Sequence, residues 1–329
     1  MTTRSDRRRF VWSVVLGLTG LPLDSLAQVP RRMPRIGFLS LQTSTERLQS
    51  FLAGMREFGY IEGQTVAIDW RFTEGTAATL TDYAADLVNS KPDLIIAVEP
   101  QSVEAVRRLT RTIPIVTIVG QDPVGLGFAQ TLSRPGGNIT GTTSMSTDVG
   151  VKQIELIRSA IANCKQVTVL LNPTNKKGAV LLGRAYQAGA QKAGIAVTLR
   201  EASTQDEIEK ELAAAKQAGT DAIIVAPDGF FVEVSAQIEA SAIKKKLPTL
   251  FLPREAVVRG ALISYGPDAR QQYRRTGYYV HRILNGAKPA DLPIEQPTQF
   301  VLAVNLKTAV AIGLKISPSV LARADEVIQ

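Results

Sequence analysis

The stretches PDLIIAVEPQS (92–102) and TDAIIVAPDGFF (220–231) share one pattern: a short unbroken apolar run that ends in polar, turn-prone residues. Runs of this kind predict strands buried on both faces, because a strand with one wet face alternates apolar and polar residues. Each run has neighbours of its own type. The first half reads as strand RIGFLS (35–40), helix TERLQSFLAGMREFG (45–59), strand TVAIDWRF (65–72), helix LTDYAADLVNS (80–90), strand DLIIAV (93–98), helix QSVEAVRRLTR (101–111) and strand IPIVTIV (113–119). Leu48, Leu52, Met55 and Phe58 recur at helical spacing in the first helix, and Gly59 ends it. The second half repeats the plan with strand VTVLL (167–171), helix AVLLGRAYQAGAQKAG (179–194), strand AVTLR (196–200), helix QDEIEKELAAAKQAG (205–219), strand DAIIVA (221–226), helix EVSAQIEASAIKKK (233–246) and strand PTLFL (248–252).

Strands that alternate with helices predict parallel sheets covered on both faces, and right-handed crossovers make these an α/β fold of two doubly wound lobes. A chain of 329 residues is long enough for two such cores. The Gly- and Thr-rich segment PGGNITGTTS (135–144) reads as an extended crossing with turns between the lobes. The chain returns through GALISYGPD (260–268) into helix ARQQYRRTGYYVHRILNG (269–286) and crosses again near LPIEQPTQFVLAVN (292–305). Several crossings predict a hinge of restricted rotation. The expected division is a leader at 1–27, lobe one from 28–142 with 266–291, and lobe two from 143–265 with 292–329.

Open α/β sheets hold their ligands at the carboxyl ends of the strands. In lobe one those ends are SLQTS (40–44), with Ser40 and Gln42, VEPQS (98–102), with Glu99, Gln101 and Ser102, and VGQDPVG (119–125), with Gln121 and Asp122. Lobe two offers NPTNK (172–176), with Asn172 and Asn175, APDGFF (226–231), with Asp228 and Phe230, and LPREAV (252–257), with Glu255. Tyr265, at the end of the returning strand, either lines the cleft or packs in the hinge.

The 45% apolar and 21% charged content exclude a disordered chain and a polytopic membrane protein. Before Gln28 the pattern changes: an arginine cluster, an apolar run from Phe10 to Leu23, then Ser25, Leu26 and Ala27. This reads as an export leader cleaved after Ala27 and too short to span a bilayer. RRRFV (7–11) fits either a twin-arginine or an ordinary secretory route, since Asp6 precedes the arginine pair. Removing Arg4, Arg7, Arg8 and Arg9 together with Asp6 and Asp24 would lower the net charge from +8 to +6. With no block of five like charges and no groove-reading motif, no nucleic-acid partner is expected. The single cysteine, Cys164, forms no internal disulfide and lies far from any lipidation position near the leader, so a structural role and a periplasmic location are expected.

RIGFLS, FGYIEGQTVAIDWRFTEG, IPIVTIVGQDPVGLGFAQTLSRPGGNITG, LLNPTN, GALISYGPD and NLKTAVAIGLKISPSVLARADEVIQ together resemble the ABC-transporter substrate-binding proteins of the tryptophan/tyrosine-uptake type. The resemblance implies a type I periplasmic-binding-protein fold and a small ligand handed to an inner-membrane ABC permease; a monomer without a cofactor is expected. It also implies ligand-facing roles for Asp122, Asn172 and Asp228. An amino acid would bring a carboxylate suited to Ser102 and helix N-terminal amides, and an ammonium suited to Asp122 or Asp228. The sequence departs from the family at Glu99-Pro100-Gln101-Ser102, where a Thr-Pro or Ser-Pro turn is frequent, and at Asp228-Gly229-Phe230, where Asp-Asn-Thr is frequent. Unless Glu99 turns away or pairs with a cation, its charge opposes a ligand carboxylate there. Phe230 and Phe231 either stack on a ligand ring or pack the lobe.

Catalytic and metal chemistry find little to use. His281, the only histidine, lies within a predicted helix, and no G-x-S-x-G elbow or phosphate-binding loop occurs. GLGFAQ (125–130) lacks the third glycine of a dinucleotide fingerprint. The expectation is a solute receptor rather than an enzyme, binding an amino acid or a related small carboxylate or aromatic by hinge closure. A ligand-sensing subunit for a membrane signalling protein and a secreted α/β enzyme are the alternatives.

Overall fold

A computed structural model describes residues 32–73 and 79–329; the leader expected at 1–27 lies outside the described residues. Lobe one is built from β1 (Arg35–Ser40), α1 (Thr45–Arg56), β2 (Ala67–Phe72), α2 (Leu80–Asn89), β3 (Leu94–Val98), α3 (Glu99–Leu109), β4 (Ile115–Val119) and β5 (Ile139–Thr143). Its five strands are parallel in the order β2-β1-β3-β4-β5. Lobe two follows with α4 (Ser146–Ala160), β6 (Gln166–Leu171), α5 (Lys176–Ala193), β7 (Ala196–Glu201), α6 (Gln205–Gln217), β8 (Ala222–Val225), α7 (Gly229–Glu233), α8 (Ser235–Lys244), β9 (Thr249–Phe251), α9 (Arg254–Val258) and β10 (Ile263–Pro267). The chain ends with α10 (Ala269–Leu284), β11 (Phe300–Asn305), α11 (Leu306–Ile312), α12 (Pro318–Leu321) and β12 (Glu326–Ile328). The second sheet runs β12-β11-β10-β9-β8-β6-β7. Its last five strands, read backwards, repeat the order of lobe one, which accounts for the doubled sequence pattern.

Alternate residues of the central strands feed opposite cores, as a doubly wound sheet requires. In β3, Leu94, Ile96 and Val98 pack with Phe51 and Met55 of α1, whereas Ile95 and Ala97 pack with Leu87, Val103 and Val106 from α2 and α3. In β8, Ala222 and Ile224 face one core and Ile223 and Val225 the other. Cys164 sits in the first of these cores, where burial pushes its thiol up to about 11. No helix among the described residues is long and apolar enough to cross a membrane.

Four features differ from the sequence reading. The crossing segment holds a regular strand, β5, and α4 follows it directly. Val149, Gly150, Gln153, Ile154 and Ile157 of α4 form a buried stripe at helical spacing, but its N-cap is Met145 in a left-handed conformation with no capping side-chain bond. The helix expected at 233–246 is α8, and a short additional helix, α7, precedes it within the APDGFF loop expected after β8. β11 runs antiparallel to β10, so the second sheet is mixed.

The segment between β10 and β11 leaves lobe two and packs on lobe one. Its helix α10 crosses α1 with glycine on each side: a Cβ on Gly54 would lie 2.0 Å from the Arg274 carbonyl oxygen, and one on Gly277 would lie 2.4 Å from the Gly54 carbonyl. The two backbones therefore touch. His281 stacks on Phe58 at 4.6 Å in the same region. Beyond α10, Ile294 donates its backbone N–H to Leu132, and Glu295 exchanges backbone hydrogen bonds with Gly141 and Thr143 at the edge of β5.

Glu239 of α8 is a buried acid with no ion pair among the described residues. One carboxylate oxygen accepts from Thr249 Oγ1 at 2.9 Å, the other has no hydrogen-bond partner, and burial pushes the group up to about 8. Its native state therefore holds a proton that the unfolded chain releases at ordinary carboxylate pH. Stability from this group is full below the unfolded value and declines as pH rises toward 8. Glu239→Gln is expected to remove that decline and to raise the stability at pH 8 by roughly 2 kcal/mol or more over the parent. Urea titrations at pH 5 and pH 8 check this; equal pH slopes for both proteins would refute it.

Candidate functional site

The loops that follow β1, β3 and β4 face those that follow β8 and β9 across a cavity of about 80 Å³. Val98, Ile118, Val232, Leu252 and Pro253 supply apolar wall, and Gln42, Arg47, Glu99, Gln121, Asp228, Gln272 and Tyr273 supply the polar part. Among the described residues, three bonds made by side chains cross the cleft from lobe one to lobe two. Gln101 Nε2 donates to Asp228 Oδ2 at 2.8 Å, Gln121 Nε2 donates to the Pro227 carbonyl at 3.0 Å, and Arg47 Nε pairs with Glu255 Oε1 at 2.9 Å. Gly229 makes the approach possible, because a Cβ there would stand 3.0 Å from Leu41 Cβ and 3.1 Å from Glu99 Cγ. The lobes are closed on one another.

Asp228 ends the loop after β8 and caps α7 by accepting the Phe230 N–H at 3.0 Å. Asn172 Nδ2 donates to it at 2.7 Å, and Asn175 Nδ2 at 3.5 Å. Burial raises its pKa, against the pull of these donors. Glu99 opens α3 with φ +61°, a left-handed conformation that non-glycine residues adopt at a cost and that recurs at functional sites. This backbone turns the carboxylate toward the β1 loop, where it accepts from Ser40 Oγ at 3.0 Å, Leu41 N at 3.1 Å, Gln42 Nε2 at 2.8 Å and Ser102 Oγ at 3.4 Å. Burial pushes it up to about 7 despite those donors, and the charge of Asp228 adds to the shift. Glu99 thus stays at the cavity, and no ion pair to it is formed among the described residues.

Arg47 comes from the first turn of α1. Besides Glu255 it donates to Gln42 Oε1 at 3.1 Å, and it lies 6.0 Å from the Tyr273 ring centre. The guanidinium holds Glu255 down to about 2. Two polar atoms facing this region have no partner: the acceptor Gln121 Oε1 and the donor Gln272 Nε2.

Of the residues expected from sequence, Gln42, Glu99, Gln121 and Asp228 line the cavity. Ser40 and Ser102 stand behind Glu99, while Gln101, Asn172 and Asn175 hold Asp228. Glu255 meets the site through Arg47. Asp122 caps its own turn by accepting Val124 N at 2.9 Å and is not among the lining residues. Phe230 packs with Phe231 against the lobe-two core, and Tyr265 stacks on Phe300 at 5.9 Å on β10 and β11. Arg47, Ser144, Gln272 and Tyr273 were not anticipated. They sit on helices or in a crossing, where spacing alone reads as a solvated or packed face, and the fold brings them to the cleft.

A family model described as "ABC transporter substrate binding protein" matches residues 36–328. The chain belongs to this family. As an ABC transporter substrate-binding protein it is the solute-binding component of an importer, and its family binds substrate rather than transforming it. The chain is 25% identical over 268 residues to the "Tyrosine-binding protein" of Clostridioides difficile (strain R20291), covering 81% of this chain and 76% of the relative. It resembles the crystal structure of a conserved domain protein from Vibrio cholerae with TM-score 0.84 and 27% identity, covering 90% of this chain and 100% of that one. An ABC domain from Streptococcus pneumonia in complex with L-Trp matches with TM-score 0.82 and 26% identity, over 90% of this chain and 99% of that one. The architecture of this substrate-binding protein is that of the type I periplasmic binding proteins.

Proposed function

We propose that this substrate-binding protein is exported, loses its leader after Ala27, and works as a monomeric periplasmic receptor. It closes its lobes on an amino-acid-sized solute bearing an amine and an apolar body, and the closed form docks on an inner-membrane ABC permease. The observation that carries this reading is the shared cavity, in which Gln42, Glu99 and Gln121 from lobe one meet Asp228 and Val232 from lobe two. A solute can stabilise the closed form only through contacts that form makes and the open form lacks. The bonds of Gln101, Gln121 and Arg47 across the cleft join the two lobes in that closed form. The relatives named for tyrosine and crystallised with L-Trp support a solute of this size.

Mass spectrometry of protein purified natively from its host, followed by a thermal-shift screen of aromatic and branched amino acids and related amines, identifies the class. Asp228→Asn keeps the side-chain shape and is expected to weaken binding of the stabilising compound by roughly 30-fold, the loss of a charge-assisted bond in a buried site. Unchanged affinity in that variant would refute the site. N-terminal sequencing of exported protein is expected to begin at Gln28.

A further inference from the structure

The charges in the closed cleft do not balance. Among the described residues, Arg47 is the one cationic side chain lining the cavity, and it is already paired with Glu255 at 2.9 Å and bonded to Gln42 at 3.1 Å. Glu99 and Asp228 line the same cavity from opposite lobes, and their partners are neutral donors: hydroxyls, amides and backbone N–H groups. Burying a carboxylate with neutral donors but no countercharge is costly, and closing the lobes brings two of them together. The donors to Asp228, from Gln101, Asn172, Asn175 and the Phe230 N–H, are all neutral, so no charged group of the protein is bonded to its carboxyl. Gln121 is 1% exposed, and its Oε1 is an acceptor with no hydrogen-bond partner. Two carboxylates and a free acceptor make a wall suited to a donor-rich cation, beside the apolar surface of Val98, Ile118, Val232 and Leu252.

We propose that the solute is a net cation: an amine with an apolar body and no carboxylate of its own, its ammonium held between Glu99 and Asp228 and bonded to Gln121 Oε1. The inference rests on the reading of this cleft as the solute site, and narrows it. A zwitterionic amino acid would place its carboxylate in a cavity whose guanidinium is taken by Glu255, with Gln272 Nε2 as the unpartnered side-chain donor.

Matched probes test this by calorimetry: tyramine, tyrosine and 4-hydroxyphenylacetate, then tryptamine, tryptophan and indole-3-acetate. Within each set the ring is shared and the net charge changes. The amines are expected to bind at least about tenfold tighter than the amino acids, and the acids not at all. Asp228→Asn and, independently, Glu99→Gln are expected to reduce amine affinity by about tenfold or more and to narrow the gap between amine and amino acid. Tyrosine or tryptophan binding as tightly as the matching amine would overturn the proposal and leave the receptor intact. Binding by none of the six would also overturn it. Mass spectrometry of natively purified protein then distinguishes a cleft that carries another cargo, which keeps the receptor, from one that carries none, which removes both.

Discussion

Gly229→Leu is expected to leave both lobes folded and to weaken solute binding by about 100-fold, close to 3 kcal/mol. The position lies on lobe two, and the atoms that a side chain there would strike, Leu41 Cβ at 3.0 Å and Glu99 Cγ at 3.1 Å, belong to lobe one. One added carbon would already be tight, and a leucine adds three more in the same direction. The clash exists only when the lobes meet, so it acts on the closed form and leaves the open one unstrained. A solute that binds the variant reaches the contacts of one lobe and loses those of the other. The unliganded melting temperature is expected to stay within about 2 °C of the parent, since the open form carries no clash. Small-angle scattering with and without solute checks closure directly. A variant that still contracts on adding solute would show that Gly229 does not govern the approach.

The largest loss of stability is expected from Gly277→Ala. Its new methyl group would lie 2.4 Å from the Gly54 carbonyl carbon and oxygen and 2.8 Å from Met55 N, all backbone atoms of α1 that cannot swing aside. The helices would have to part, uncovering Phe51, Met55, Tyr273, Tyr279 and Val280, which share one core. Overpacking at a backbone-to-backbone contact costs about 3 kcal/mol or more, which for a lobe of this size lowers the melting temperature by roughly 10 °C. Gly137→Ala is the control, because a Cβ there meets nothing within 4 Å. Differential scanning calorimetry on the two variants decides the matter. A melting temperature for Gly277→Ala equal to that of Gly137→Ala would mean that the helices separate at little cost.

Sequence carried the repeated strand order because unbroken runs such as LIIAV and AIIV have no other stable use in a soluble chain than a doubly covered sheet. It did not carry the direction of β11. FVLAVN suits either direction, and its antiparallel pairing with β10 is set by α10 leaving and returning between them. α4 was hidden because its start lacks the capping side chain that marks a helix, and the residues before it are rich in Gly and Thr. At the site, Gln42, Glu99, Gln121 and Asp228 were legible because strand ends point to clefts whatever the side chains do. Tyr265 and Phe230 share that position and still turn into packing, a choice made by the neighbouring Phe300 and Phe231 rings. Arg47, Gln272 and Tyr273 were illegible for the opposite reason. They come from α1 and α10, and helix spacing says which residues share a face without saying what that face meets.

The passage of α10 onto lobe one also sets a timetable for synthesis. A ribosome that has finished β5 at Thr143 has made every strand of the first sheet, yet the helix that covers Phe51 and Met55 is not complete until Leu284. During all of that interval the nascent first lobe carries a bare apolar face. Strands β11 and β12 of the second sheet emerge later still. Neither lobe can complete its core before the last segments of the chain are made, lobe one waiting for α10 and lobe two for β11 and β12.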